Sequence, residues 1–229
     1  MNKKLFGLLA VLGVLAGSQA ANATLVAWQL QGTLTTVTGT TVPSTIHSGD
    51  AFSFVLHFDT STPVANPFAC GTGGVNTTCR HSPDPTMYFS DVILGGFGPV
   101  DFFGDVAKNQ IFVRNDFAFD GFPAIDGYTF AADANNGGTE NTSFLVRFRG
   151  PEDLGLVTDG RVLPAAPPAG LLNLNFHDFQ ICDSSEGGDC LLADVVGTFS
   201  SVTQVPEPAT LALIGLGLTG LGFSRRRRQ

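Results

Sequence analysis

The sequence predicts an all-β protein: an antiparallel β-sandwich or jelly-roll-like domain, followed by a single C-terminal transmembrane helix. Three observations carry this. Apolar residues alternate with period two through the middle of the chain, and clusters of Gly, Pro, Asn and Asp interrupt the alternation. Gly (28) and Phe (20) are abundant in the 229 residues, only 14% are charged, and Val and Thr are frequent, which suits a pleated, half-buried surface. No convincing amphipathic helix is present, whereas fifteen uncharged residues, Ala209 to Phe223, stand near the C-terminus.

The expected strands follow in order. Leu25 to Val37 is rich in Thr, Val and Leu, with Trp28 early. Phe52 to Phe58 alternates cleanly, and Asp59-Thr60-Ser61-Thr62-Pro63 stops it. Met87 to Leu94 and Val100 to Phe103 are shorter. Ile111 to Phe119 sets Ile111, Val113 and Phe117 against Arg114 and Asp116. Tyr128 to Ala131 and Ser143 to Arg149 flank Asp133-Ala134-Asn135-Asn136-Gly137-Gly138, a hairpin turn by composition. Leu171 to Ile181 and Leu191 to Thr203 complete about nine strands, whose spacing suggests a sandwich. Pro164 to Gly170 reads as a stiff connector.

The two ends read as targeting segments. Residues 1–23 form a secretory signal: Lys3 and Lys4 are the positive region, Leu5 to Ala16 the apolar one, and Ala21-Asn22-Ala23 the small-x-small site. Cleavage is expected after Ala23, with Ser18-Gln19-Ala20 as the second choice. Residues 24–204 are then a β-rich extracytoplasmic domain, and 205–229 a sorting and anchor segment. As a helix, Ala209 to Phe223 spans roughly 22 Å at about 1.5 Å per residue. That is short of a ~30 Å hydrocarbon core, so bilayer thinning or arginine snorkelling must assist. Arg225, Arg226, Arg227 and Arg228 follow as a stop-transfer signal that stays cytoplasmic.

Charge excludes one partner class. Between Thr24 and Gln204 stand six basic residues and nineteen acidic ones. Nucleic acid needs a cationic face and is not expected as a partner. Gly215-Leu216-Gly217-Leu218-Thr219-Gly220 matches a dinucleotide fingerprint by letter, but no strand precedes it and the chain ends nine residues later. No cofactor is expected.

Val205-Pro206-Glu207-Pro208, the short Gly/Leu-rich span and the terminal arginine cluster resemble the PEP-CTERM sorting tag of Gram-negative bacteria. The resemblance implies recognition of Pro206, Glu207 and Pro208 by an exosortase, a membrane-embedded cysteine peptidase, and a transient anchor in the inner membrane. It also implies association with extracellular polysaccharide and biofilm matrix. Gly32 to Thr35, Gly49 to Phe54 and Phe58 to Thr62 more loosely resemble the N-terminal portions of such proteins.

An exported chain favours disulfides. Of the three connectivities open to four cysteines, Cys70–Cys79 and Cys182–Cys190 are preferred, because Gly/Asn/Ser-rich intervals bring each pair together. The spacing does not fit zinc, and no metal site is expected.

Candidates for other chemistry are sparse. No hydrolase, zinc or P-loop motif occurs, and His47, His57, His81 and His177 are scattered. His57 and Asp59 share a strand face, as do His177 and Phe179. Asp133, Asn135, Gly137, Gly138 and Asn141 partly echo a calcium loop, but Phe144 stands where the bidentate acid belongs. Asp116, Asp120 and Asp126 offer carboxylates for glycoside hydrolysis. Trp28 and Tyr128 are the candidate sugar platforms. Asn76-Thr77-Thr78 and Asn141-Thr142-Ser143 fit the glycosylation pattern.

The expectation is an exported, non-catalytic envelope or extracellular-matrix protein, sorted by an exosortase and delivered to the cell surface or matrix. The alternatives are an exopolysaccharide-binding module and a secreted hydrolase.

Overall fold

The computed structural model describes residues 25–65, 70, 77–105, 107–117, 125–135, 141–151, 157, 159–184 and 193–206. These contain ten strands: β1 (Leu25–Thr38), β2 (Ala51–Asp59), β3 (Thr77–His81), β4 (Tyr88–Leu94), β5 (Phe97–Phe102), β6 (Gln110–Phe117), β7 (Ile125–Asn135), β8 (Asn141–Pro151), β9 (Phe176–Ser184) and β10 (Ala193–Val205). A 3-10 helix occupies Leu171–Asn173.

The all-β expectation holds, but the two-sheet expectation needs correction. All ten strands form one antiparallel sheet, in the order β3-β6-β7-β8-β9-β10-β1-β2-β4-β5. The sheet makes a core by curling over itself. Phe89 on β4 and Phe144 on β8 lie five strands apart, ~24 Å in a flat sheet, yet their rings stack at 4.0 Å. Trp28 on β1 meets Phe130 on β7 edge-on at 5.7 Å. Trp28, Phe54, Phe58, Phe89, Phe130, Phe144, Phe148 and Phe179 are the largest fully buried side chains.

Curling needs a bend, and the β1–β10 pair supplies it. Its register shifts between Gln31 and Gly32 and again between Leu34 and Thr36. Such bulges increase local twist and turn a strand. Gly32 and Gly197 sit at this bend because nothing larger fits. A Cβ on Gly32 would collide with the Thr198 carbonyl, and one on Gly197 with the rings of Phe179 and Phe52.

Several strand expectations shift. β3 is not among the expected strands: Thr77 to Cys79 fall at the end of the interval read as a disulfide loop, and only Arg80 and His81 extend beyond it. The strand expected from Leu171 begins at Phe176 instead, and Leu171–Asn173 turns as 3-10 helix with Leu171 buried. β7 is longer than Tyr128 to Ala131, and Asp126 to Ala132 are all buried, so alternation is faint there.

Cys70 and Cys79 form the expected disulfide, with Cα atoms 4.9 Å apart, tying residue 70 to edge strand β3. Cys182 is also disulfide-bonded. Its expected partner, Cys190, lies outside the described residues. Among the described residues no helix is long and apolar enough to cross a membrane. The segment expected to do so, Ala209 to Phe223, lies outside them.

The bend gives a test. Gly197→Val should destabilise the domain by about 3 kcal/mol or more, through forced overpacking. Urea denaturation would measure it, and an unchanged midpoint would refute the role given to this glycine.

Candidate functional site: the end of the sheet that carries the sorting segment

The first and last strands are neighbours in mid-sheet. β10 pairs with β9 over Ala193–Thr198, but with β1 as far as Val205, opposite Ala27. Pro206 follows at once and is exposed. The start of β1 and the start of the sorting segment therefore share one end of the sheet.

The outward side chains at this end form a row. Val26, Trp28 and Leu30 point into the core, so Ala27 points out; Phe54, Leu56 and Phe58 point in, so His57 points out. Register places Val205, Ala27, His57 and Tyr88 side by side across β10, β1, β2 and β4. His57 and Tyr88 stack with centroids 4.2 Å apart and planes within 3°. Tyr88 stacks in turn on Phe103 at 5.2 Å, and Phe103 is 57% exposed.

Buried Asn109 holds this ladder. Its Nδ2 donates to the carbonyls of Met87 (2.7 Å) and Phe103 (3.0 Å), the residue before Tyr88 and the outermost ring. Gly104 is required beside it: φ is +63° and a Cβ would press on Asn109 Oδ1 at 2.6 Å.

Two carboxylates flank the rings. The register of β4 and β5 shifts between Phe89 and Val92, and Asp91 within that bulge has φ 52°. The Asp91 N–H donates to Asp101 Oδ1 at 3.0 Å. Burial lowers the His57 pKa below its ordinary value, with Asp91 and Asp101 pulling the other way. Burial, then Asp101 and Asp91, raise the Tyr88 pKa. His57 Nε2 lies 2.9 Å from Ser90 Oγ, and Ser90 Oγ lies 3.4 Å from Asp91 Oδ2. The carboxylate thus touches the hydroxyl and not the far side of the imidazole, which is the wrong order for an activated serine. An aromatic face rimmed by carboxylates suits contact with an apolar or sugar surface better than proton transfer.

The other expected site residues scatter. Trp28 and Tyr128 are buried, so neither is a sugar platform; burial, with Asp126 adding, pushes the Tyr128 pKa up to about 12. Asp59 accepts from the N–H and hydroxyl of Ser61 and does not join His57. His81 is buried between the carbonyls of Thr62 and Gly160, a structural tie. His47 sits by Asp50, and His177 by the Leu174 carbonyl. Asp126 is buried, while Asp120 and the Asp116 side chain lie outside the described residues. Most of the 133–141 turn lies outside them as well, and burial raises the Asp133 pKa against the pull of Lys108. Among the described residues no group of three or more His, Cys, Asp or Glu is placed to hold a metal. Ala23, Glu207, Pro208 and Arg225 to Arg228 lie outside the described residues. Asn109 and the Tyr88–Phe103 stack were missed by sequence reasoning, since only register and loop closure unite them.

His57 gives a pH test. Its folded pKa lies below the unfolded value of ~6.5, so the unfolded state binds the proton first. The neutral ring's contribution is present above about pH 6.5 and is lost as pH falls from there toward the lowered folded value. His57→Gln should therefore flatten the loss of stability between about pH 7 and 5, read by urea denaturation at each pH. An identical acid limb in both proteins would contradict this.

No curated protein and no solved structure matches the chain. A family match covers residues 204–228: the PEP-CTERM protein-sorting motif. It begins at the last strand residues, one position before Val205. The chain is thus a protein with a PEP-CTERM sorting motif, an exported protein held transiently in the membrane and sorted by an exosortase.

Proposed function

We propose that the domain is a non-catalytic envelope or extracellular-matrix protein, and that exosortase processing frees it from its anchor for the cell surface or matrix. One observation carries the reading: β10 runs into the motif without a linker. Only Pro206, Glu207 and Pro208 separate Val205 from the uncharged stretch, a reach of about 11 Å at full extension. While the tag is inserted, the end of the sheet bearing Leu25, Tyr88 and Phe103 lies against the membrane surface. Leu25 and Phe103 are large apolar residues exposed there, 40% and 57%. Among the described residues, His57, Ser90 and Asp91 stand in the wrong order for an activated serine, and His81 and His177 bind backbone carbonyls.

Glu207→Ala, or truncation before Glu207, should change the mass and fractionation of the protein while leaving its circular dichroism unchanged. Mass spectrometry of cells and medium checks this, and a mature mass identical to that of the unaltered protein would overturn the sorting role of the motif.

The carbohydrate-binding alternative is favoured by one specific observation, the exposed Tyr88–Phe103 stack between Asp91 and Asp101. On this reading Tyr88→Ala, and not Trp28→Ala, abolishes binding on a glycan array. Binding that survives Tyr88→Ala would remove the stack from consideration.

A further inference from the structure

Three of the six basic residues between Thr24 and Gln204 meet on the outer face of the opposite half of the sheet. Ile111 and Val113 on β6, and Val146 and Phe148 on β8, point into the core, so Arg114, Arg147 and Arg149 point out. Arg114, Gly127 and Arg149 are partners in a single row across β6, β7 and β8, and Phe176 on β9 continues it. No side chain separates the two arginines. A Cβ at Gly127, whose φ is 152°, would collide with the Phe148 carbonyl.

Both guanidinium groups converge on one buried hydroxyl. Arg114 Nη1 donates to Thr129 Oγ1 at 3.0 Å, and Arg149 Nε donates to the same oxygen at 3.2 Å. A hydroxyl has two lone pairs and one hydrogen. With both lone pairs engaged, the hydrogen remains to be given to an acceptor. Among the described residues, neither arginine has a carboxylate within ion-pair distance. Arg147 beside them does: it grips Asp178 through two hydrogen bonds, 2.8 and 3.0 Å. Burial, then Arg114 and Arg147, push the Arg149 pKa down to about 10, with Asp178 pulling the other way, so it remains a cation at neutral pH. Two half-buried cations with no carboxylate in ion-pair contact among the described residues are costly to keep.

The geometry points to a binding site for a carboxylate-bearing ring ligand, a hexuronate in chemical class, with Arg114 and Arg149 forking the carboxylate above Gly127, Thr129 donating to it, and Phe176 backing the ring. The Arg147–Asp178 pair shows the same face already holding a carboxylate in this way. Phe176 is 58% exposed beside Arg149, a flat apolar surface for the remainder of such a ligand. Charge selects for few negative groups: with nineteen acidic residues against six basic ones between Thr24 and Gln204, the domain repels a dense polyanion, whereas one carboxylate is neutralised locally.

Calorimetric titration of the full chain in detergent at low salt tests this, with glucuronate, acetate, glucose and sulfate as probes. Glucuronate should bind more tightly than acetate, and glucose should not bind. Arg114→Gln and Arg149→Gln should each weaken glucuronate at least tenfold, Phe176→Ala should bring it to the level of acetate, and Arg80→Gln on the β3 edge should change nothing. Arg149→Lys keeps the charge and loses the fork, so it should also weaken binding. On the unaltered protein, glucuronate should shift the Nε resonances of Arg114 and Arg149, a readout independent of how the variants fold. Equal binding by sulfate, an equal loss in Arg80→Gln, or unmoved arginine resonances would each overturn the assignment.

Discussion

The pairing of β1 with β10 is the constraint on which the rest of the molecule depends. It joins the first strand to the last in the middle of the sheet. Without it, β2, β4 and β5 would remain with β1 on one side, and β3 and β6 to β9 on the other. Each half would expose a row of Phe that only the other half covers. The bulges and the two close-packed glycines lie in this pair, so the ladder that joins the halves also bends them together. Because β1 and β10 lie at opposite ends of the chain, the core cannot close until nearly the whole domain is available. Such non-local pairing folds slowly, and the sorting segment is the next stretch of chain to follow.

The same sheet separates two chemistries. Inside, Phe rings meet largely edge to face around Phe54, Phe144 and Phe179. Outside, the character changes along the sheet. The β2–β4–β5 end presents His57, Tyr88 and Phe103 with Asp91 and Asp101, and burial keeps His57 uncharged near neutrality. The β6–β7–β8 region presents arginines in a chain otherwise dominated by acids. Charge is thus sorted by position on one continuous surface, which net charge alone does not reveal.

Much of the inner face was legible in the sequence, and for a physical reason: period-two alternation in Phe52 to Phe58 is the direct signature of a strand with one buried side. Period-two parity also places Trp28 inward with Val26 and Leu30, which removes it from the sugar-platform role that Trp side chains favour. β7 was legible only in part because it is buried on both faces. β3 was hidden because five residues beside a Gly-rich interval carry too little pattern. A single curled sheet could not be told from a sandwich, since local alternation is identical in both and only strand order distinguishes them. The sites were less legible still. The PEP-CTERM motif is contiguous and was readable, but His57 with Tyr88, and Arg114 with Arg149, are united only by register, and Asn109 acts through two carbonyls that any sequence contains.

The position of the motif at a strand end also bears on how a peptidase reaches it. A peptidase binds its substrate as extended chain, and β10 is extended up to Val205. Beyond Thr198, however, β10 is paired on the β1 side alone. Strand ends held by one ladder open at far lower cost than the core. Thr203 and Gln204 are exposed and Val205 half-buried, so separating them from β1 uncovers little apolar surface. Phe199, by contrast, is buried against Phe52, Phe148 and Phe179 and fixes the strand upstream. The boundary between what is folded and what an enzyme can peel away thus falls between Phe199 and Val205. The domain can remain intact while the chain just before the motif is drawn out as substrate.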